Sequence, residues 1–245
     1  MKDPSYFDRG VQCGHFGRDG RRFFYEETAH QIAGFCQVIS ASYEEGSSLL
    51  IGDVGGGNGL VAKELVKRLG SVFPKMNIHV LDCDAGKFEC GNPWITFKEH
   101  DVRNPLLQQY DALVGRSFLH YNVIKDQECI LNNMKEALRS GGIACLIQPC
   151  PLEEDIEKIQ GVYNLIASMK SMPSRTWVVS TKLETMIRSV DFDIINHEVL
   201  GKGEYSIDGF YKVRYRLDDE EVFALKNLFQ GKEGLFLPTH TYLLR

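Results

Sequence analysis

The stretch LLIGDVGGGNG, residues 49–59, restricts the fold of this chain more than any other. A short apolar run carries a carboxylate, Asp53, and gives way at once to Gly55, Gly56 and Gly57, then Asn58 and Gly59. Glycine forfeits side-chain packing and loses more backbone entropy on folding than alanine, about 0.5–1 kcal/mol at each ordered position. A run of them marks backbone that turns tightly or that something approaches closely. The next residues, GLVAKELVKRLG (59–70), carry Val61, Leu65, Val66 and Leu69 at helical spacing and end on a glycine. The pattern predicts a buried strand, a glycine turn and a helix.

That alternation recurs. MNIHVLDCD (76–84), WITFKEHD (94–101), QYDALVGRS (109–117) and GIACLIQ (142–148) read as strands, and DQECILNNMKEALRSGG (126–142) as a helix with Ile130, Leu131, Met134 and Leu138 inward. Strand–helix–strand succession implies βαβ units, hence a parallel sheet covered by helices on both faces. Ligands of such sheets sit at the carboxyl ends of the strands, where the strand order switches. Past Gln148, segments 152–170, 181–190 and 218–230 read as helices. FDIINHEVLG (192–201), GFYKVRYRL (209–217) and FLPTHTYLLR (236–245) read as strands. With 245 residues, one α/β core over 46–245 fits best, preceded by a helical, aromatic-rich cap over 1–45 and carrying an insertion at about 151–180.

Charge excludes some partners. Lys and Arg number 28 against 33 Asp and Glu, a net −5, which argues against a general nucleic-acid binder. No run approaches the ~20 apolar residues that span a bilayer. The start, MKDPSYFDRG, lacks the basic and apolar regions of a signal peptide, so a cytoplasmic protein with reduced thiols is expected. The seven cysteines contain no CxxC pair, and Cys13 with His15 has no second ligand pair, so no metal is expected.

Two frames fit the glycine run. Gly57, Gly59 and Ala62 satisfy the G-x-G-x-x-G/A form of dinucleotide sites. The other frame, Asp53-x-Gly55-x-Gly57-x-Gly59, resembles motif I of the class I S-adenosylmethionine-dependent methyltransferases. The acid separates them. A helix N-terminus receiving a pyrophosphate gains nothing from a carboxylate just before the loop, whereas a ligand carrying a sulfonium and an α-amino group does. The resemblance continues in HVLDCD, KEHDV, YDALVGRSFLHYN and ALRSGGIACLIQ, and covers about residues 45–150. Ser140 stands where the family commonly has proline, and Gln148 where it commonly has an acid.

The resemblance implies a Rossmann-like α/β fold: a seven-stranded, mostly parallel sheet with helices on both faces and an antiparallel C-terminal strand. It implies S-adenosyl-L-methionine as cofactor. The matching positions are Asp53, Gly55, Gly56, Gly57, Asn58 and Gly59 in the turn, and Asp82 and Cys83 after the second strand. Asp101 and Val102 follow the third, and Arg116 and Ser117 the fourth. The acid after the second strand accepts hydrogen bonds from the ribose hydroxyls in this family; Asp82 matches it, with Asp84 the alternative. Asp101 matches the acid near the adenine amino group.

The acceptor is less constrained. RSFLHY lacks the N/D-P-P-Y/F of many amide and amino methylating enzymes, and Cys150 in QPCP has no basic region to accompany it as a nucleophile. Aromatic and methionine residues outside the core, Tyr6, Phe7, Phe16, Tyr121 and Met169, with Trp177 in the insertion, suit an apolar small-molecule acceptor. The reading is O- or N-methylation of a small molecule, as in secondary metabolism, with a homodimer as the candidate assembly. The alternatives are a protein or RNA methyltransferase, a non-methylating S-adenosylmethionine-binding protein and an NAD enzyme. His120, just past the fourth strand, is the candidate general base; packing behind the cofactor loop is its other role, and Tyr121 is next in line.

Overall fold

The computed structural model describes residues 27–88, 91–229 and 234–245. Tyr6, Phe7 and Phe16, with most of the expected cap, lie outside the described residues. Seven strands form one sheet in the order β3-β2-β1-β4-β5-β7-β6. They are β1 (Leu50–Val54), β2 (Asn77–Asp82), β3 (Ile95–Glu99), β4 (Tyr110–Arg116), β5 (Leu138–Pro149), β6 (Ile194–Ser206) and β7 (Gly234–Leu244). The five strands β3 to β5 pair in parallel, while β7 runs antiparallel to both β5 and β6. Strand order reverses between β1 and β4, so the glycine turn lies at the switch point, as the βαβ pattern requires.

Helices cover both faces. On one, α1 (Ala33–Ser42) and α2 (Leu60–Leu69) bury Phe35, Cys36, Ile39, Val61, Leu65 and Leu69 against Ile51, Ile78 and Val114. The i, i+4, i+8 placement of Val61, Leu65 and Leu69 is the helical stripe read from the sequence. On the other, α3 (Ile124–Glu136) and α5 (Ser180–Ser189) bury Ile130, Leu131, Met134, Leu183 and Ile187 against Leu113, Ala144 and Leu146. A third cluster joins α4 (Ile156–Lys170), α6 (Lys212–Tyr215) and α7 (Asp219–Phe229) to the start of β7 through Ile159, Tyr163, Trp177, Tyr211, Tyr215 and Leu235. This cluster overhangs the carboxyl end of the sheet, because its Tyr163 and Trp177 also line the cavity described below.

Two expectations are corrected. Segment 209–217 is not a strand: Ile207–Tyr211 is one wide helical turn that runs into α6. Alternation and i, i+4 spacing coincide on Tyr211 and Tyr215, and burial of both with Ile207 in one cluster selects the helix. Residues 138–142 leave the helix and enter β5, where Leu138 pairs with Tyr110 across a bulge and Gly141 takes φ +78°.

Candidate active site

Three strand ends supply three carboxylates. Asp53 lies in β1, Asp82 ends β2, and Asp101 follows β3. All three line one cavity of about 600 Å³ at the carboxyl edge of the sheet. The glycine turn closes its floor: Gly55 donates its N–H to Leu81 O at 2.8 Å, and Gly57 donates to Asp82 Oδ2 at 3.0 Å. Asp82 Oδ1 accepts from the N–H of Asp84 at 3.0 Å, while Asp84 turns to accept from Gly86 and caps a short 3-10 turn. Asp82 therefore faces the cavity, and Asp84 is not among its lining residues.

The glycines answer to the protein as well as to a ligand. A Cβ on Gly55, which holds φ +65°, would meet the Phe118 ring at 2.7 Å, and one on Gly56 would meet Asp53 Cγ at 2.7 Å. A Cβ on Gly115 would strike the same Phe118 ring from β4. Phe118 is 6% exposed and fills the wedge between the two strand ends. Ser117 beside it holds φ +53°, a left-handed backbone rare for a side chain of this kind, and its N–H is pinned to Ile147 O at 2.8 Å.

Asp53 is fully buried. Its Oδ2 accepts from the N–H of Ala62 at 3.2 Å, and Oδ1 has no hydrogen-bond partner among the described residues. Burial raises its pKa to about 7, with the Ala62 bond opposing and the Asp82 charge adding. An orphaned carboxylate oxygen inside a cavity fits a cationic ligand there, and S-adenosylmethionine brings one. Asp101 is engaged otherwise: Arg103 holds it through two nitrogens, Nε at 2.9 Å and Nη2 at 2.5 Å, and keeps its carboxyl below the usual range. Asn58, Cys83, Val102 and Arg116 also line the cavity. Gly59 is not among the lining residues; it is the residue before α2, at φ +72°.

The other half is aromatic. His120, 3% exposed, stacks on Trp177 with centroids 4.3 Å apart and 7° between planes, and lies 4.5 Å from the Tyr121 ring. Its Nδ1 meets the Gln148 amide at 3.0 Å and its Nε2 meets Arg175 Nη1 at 3.4 Å. Burial first, then the charges of Arg175 and Arg214, push its pKa well below the usual value. Tyr163, Tyr205 and Phe210 complete this wall; Met169 sits on α4 outside the lining. The sequence reading missed Phe118, Tyr163, Arg175 and Arg214, although Arg175 lies two residues before Trp177, which it names. It also missed the contact of Arg116 with Gln31 (2.7 Å) and Glu27 (3.7 Å), which ties the first described helical turn to the end of β4. Cys150 is buried with its thiol pushed up to about 12, the opposite of an activated nucleophile.

A parallel sheet with a glycine turn at its switch point, acids ending successive strands and an antiparallel strand beside β5 defines a class I methyltransferase. Residues 25–175 match the O-methyltransferase domain family, and the chain belongs to it: it is an S-adenosylmethionine-dependent methyltransferase. No curated protein matches the sequence. Solved structures share the fold. A protein of Bacillus halodurans C-125, designated a methyltransferase by inference, has a TM-score of 0.64 at 12% identity, over 86% of this chain and 96% of that one. The YcgJ protein of Bacillus subtilis has a TM-score of 0.64 at 11% identity, over 85% and 95%. The cyclopropane synthase MmaA2 of Mycobacterium tuberculosis has a TM-score of 0.59 at 11% identity, over 86% and 82%. At such identities these likenesses concern the fold alone.

Proposed function

We propose that this chain methylates an oxygen atom of a small planar acceptor held against the His120–Trp177 wall. The observation that carries the reading is one cavity with two unlike halves: carboxylates and the glycine turn at one end, stacked aromatic rings at the other. Asp82 holds the ribose, Asp53 faces the charged methionine end, and Val102 packs on the adenine. Asp101 reaches the adenine edge only through its pair with Arg103. When bound, S-adenosylmethionine supplies an already activated methyl group with a neutral leaving group. The chain's own residues align the acceptor and keep water out, and alignment of this kind is worth effective molarities of ~10⁵ M or more.

His120 acts in this reading as a wall and not as a base. Its two ring nitrogens face an amide and a guanidinium, and among the described residues no carboxylate meets either nitrogen. Among the described residues no helix is long and apolar enough to cross a membrane.

Calorimetric titration with S-adenosylmethionine, S-adenosylhomocysteine and NAD tests the cofactor assignment. The first two are expected to bind and NAD not to. Binding of NAD alone would overturn it.

A further inference from the structure

Where β3 ends, the cavity meets a carboxylate that is already occupied. Arg103 donates its backbone N–H to Asp101 Oδ1 at 3.0 Å, and its Nε bridges both carboxylate oxygens at 2.9 and 3.0 Å. Its Nη2 reaches Oδ2 at 2.5 Å. A carboxylate offers about four acceptor sites, and these contacts from one residue fill them. They hold the Asp101 carboxyl below its usual range, so it stays ionised and matched near neutrality.

The pair sits on a turn that the fold fixes. Asn104 donates its N–H to Asp101 O at 2.9 Å and closes that turn. One face of α3 then holds it: Asn133 Nδ2 donates to Val102 O at 3.1 Å, and Cys129 Sγ to Arg103 O at 3.3 Å. From the same face Asp126 stands 3.7 Å from Arg103 Nη1, longer than a hydrogen bond. Asp101, Val102 and Arg103 all line the cavity. With Nε and Nη2 turned to Asp101, the guanidinium still carries N–H groups for a ligand, because it has five. The pair therefore presents donors to the cavity, and not carboxylate oxygens.

A purine feels that difference. Its 6-amino group is a donor and needs an oxygen, whereas its ring nitrogens are acceptors and suit a guanidinium N–H. Resting on the cofactor placement above, we propose that Arg103 recognises the adenine by donating to a ring nitrogen, and that the 6-amino group is left unread. Asp101 is then a positioning residue that aims Arg103.

Calorimetry comparing S-adenosylhomocysteine with its 6-deamino analogue, whose purine carries hydrogen at C6, tests this. The parent is expected to bind the two within about threefold of each other. Arg103→Ala is expected to bind the 6-deamino analogue about tenfold more weakly than the parent does, since the guanidinium contact is lost. The same change releases Asp101 to accept from the amino group, so this variant should prefer S-adenosylhomocysteine by about tenfold or more. Adding Asp101→Ala should abolish that new preference. Arg103 is about half exposed, and Arg103→Lys, which keeps the charge without the fork, should fall between and decides if the alanine variant does not fold. A larger preference for the amino compound in the parent, or a folded variant that shows no preference and no loss, overturns the proposal. Failure of the parent to bind S-adenosylhomocysteine overturns the cofactor reading instead, so the two failures are distinct.

Discussion

Asp82 accepts the N–H of Gly57 at 3.0 Å, so the carboxylate that ends β2 also fixes the turn that follows β1. One side chain thus shapes the loop and faces the cavity. Asp82→Ala is expected to weaken binding of S-adenosylhomocysteine by about 1–3 kcal/mol, the range for losing a charged hydrogen-bonding partner. Asp84→Ala removes the cap on Gly86, outside the cavity lining, and is expected to leave affinity near the parent's. Calorimetry that ranks the two variants the other way would transfer the ribose to Asp84.

Gly115 and Phe118 form a second coupled pair. A Cβ at Gly115 would collide with the Phe118 ring, so Gly115→Ala is expected to destabilise the fold by about 1–3 kcal/mol through overpacking. Phe118→Leu opens the wedge at its own cost. Denaturant unfolding should show the double variant losing clearly less than the sum of the two single losses. Simple additivity would mean that the ring is not what forbids a side chain at Gly115.

The core was legible in the sequence because its signals are local. Asp53 with Gly55, Gly57 and Gly59 sits at fixed spacing, and Val61, Leu65 and Leu69 repeat at 3.6 residues, so β1, the turn and α2 follow from near neighbours. The aromatic half of the cavity was not legible. Arg175 meets His120, Tyr163 and Tyr215 across 55, 12 and 40 positions of chain, and no periodicity records such contacts. The helix at 207–215 was hidden for a related reason: Tyr211 and Tyr215 satisfy a strand's alternation and a helix's spacing equally, and only the cluster that receives them decides. Met169 illustrates the converse, an apolar residue in the right insertion that the helix phase of α4 turns away from the cavity lining.

His120 gives a test in pH. Its folded pKa lies well below the ordinary value, so on acidification the unfolded chain takes up the proton first. The stability that this burial contributes is full above about pH 6.5 and is lost as pH falls towards the folded pKa. In His120→Asn the slope of unfolding free energy against pH below about 6.5 should be flatter than in the parent by up to one proton. The turnover of the parent should show no titration centred near 6.5. A rate that halves at that pH, and ceases to do so in His120→Asn, would restore the imidazole as a general base.

Asp53 runs the other way. Burial lifts its folded pKa to about 7, above the 3.8 of a free carboxyl, so its contribution to stability is present at low pH and lost as pH rises through about 7. Near neutrality the protein without ligand carries this carboxyl partly protonated. A cation placed at the orphaned Oδ1 favours the ionised form, so binding of S-adenosylmethionine should expel a fraction of a proton. Binding heats measured at about pH 6.5 in buffers of low and high ionisation enthalpy would show the release as a buffer-dependent difference. S-adenosylhomocysteine, lacking the sulfonium charge, should release less. In Asp53→Asn the difference should vanish, affinity should fall, and the protein without ligand should gain stability relative to the parent as pH rises from about 6 to about 8. Heats that do not depend on buffer in the parent would mean that Asp53 is already ionised before the cofactor arrives, and that burial alone does not set its charge.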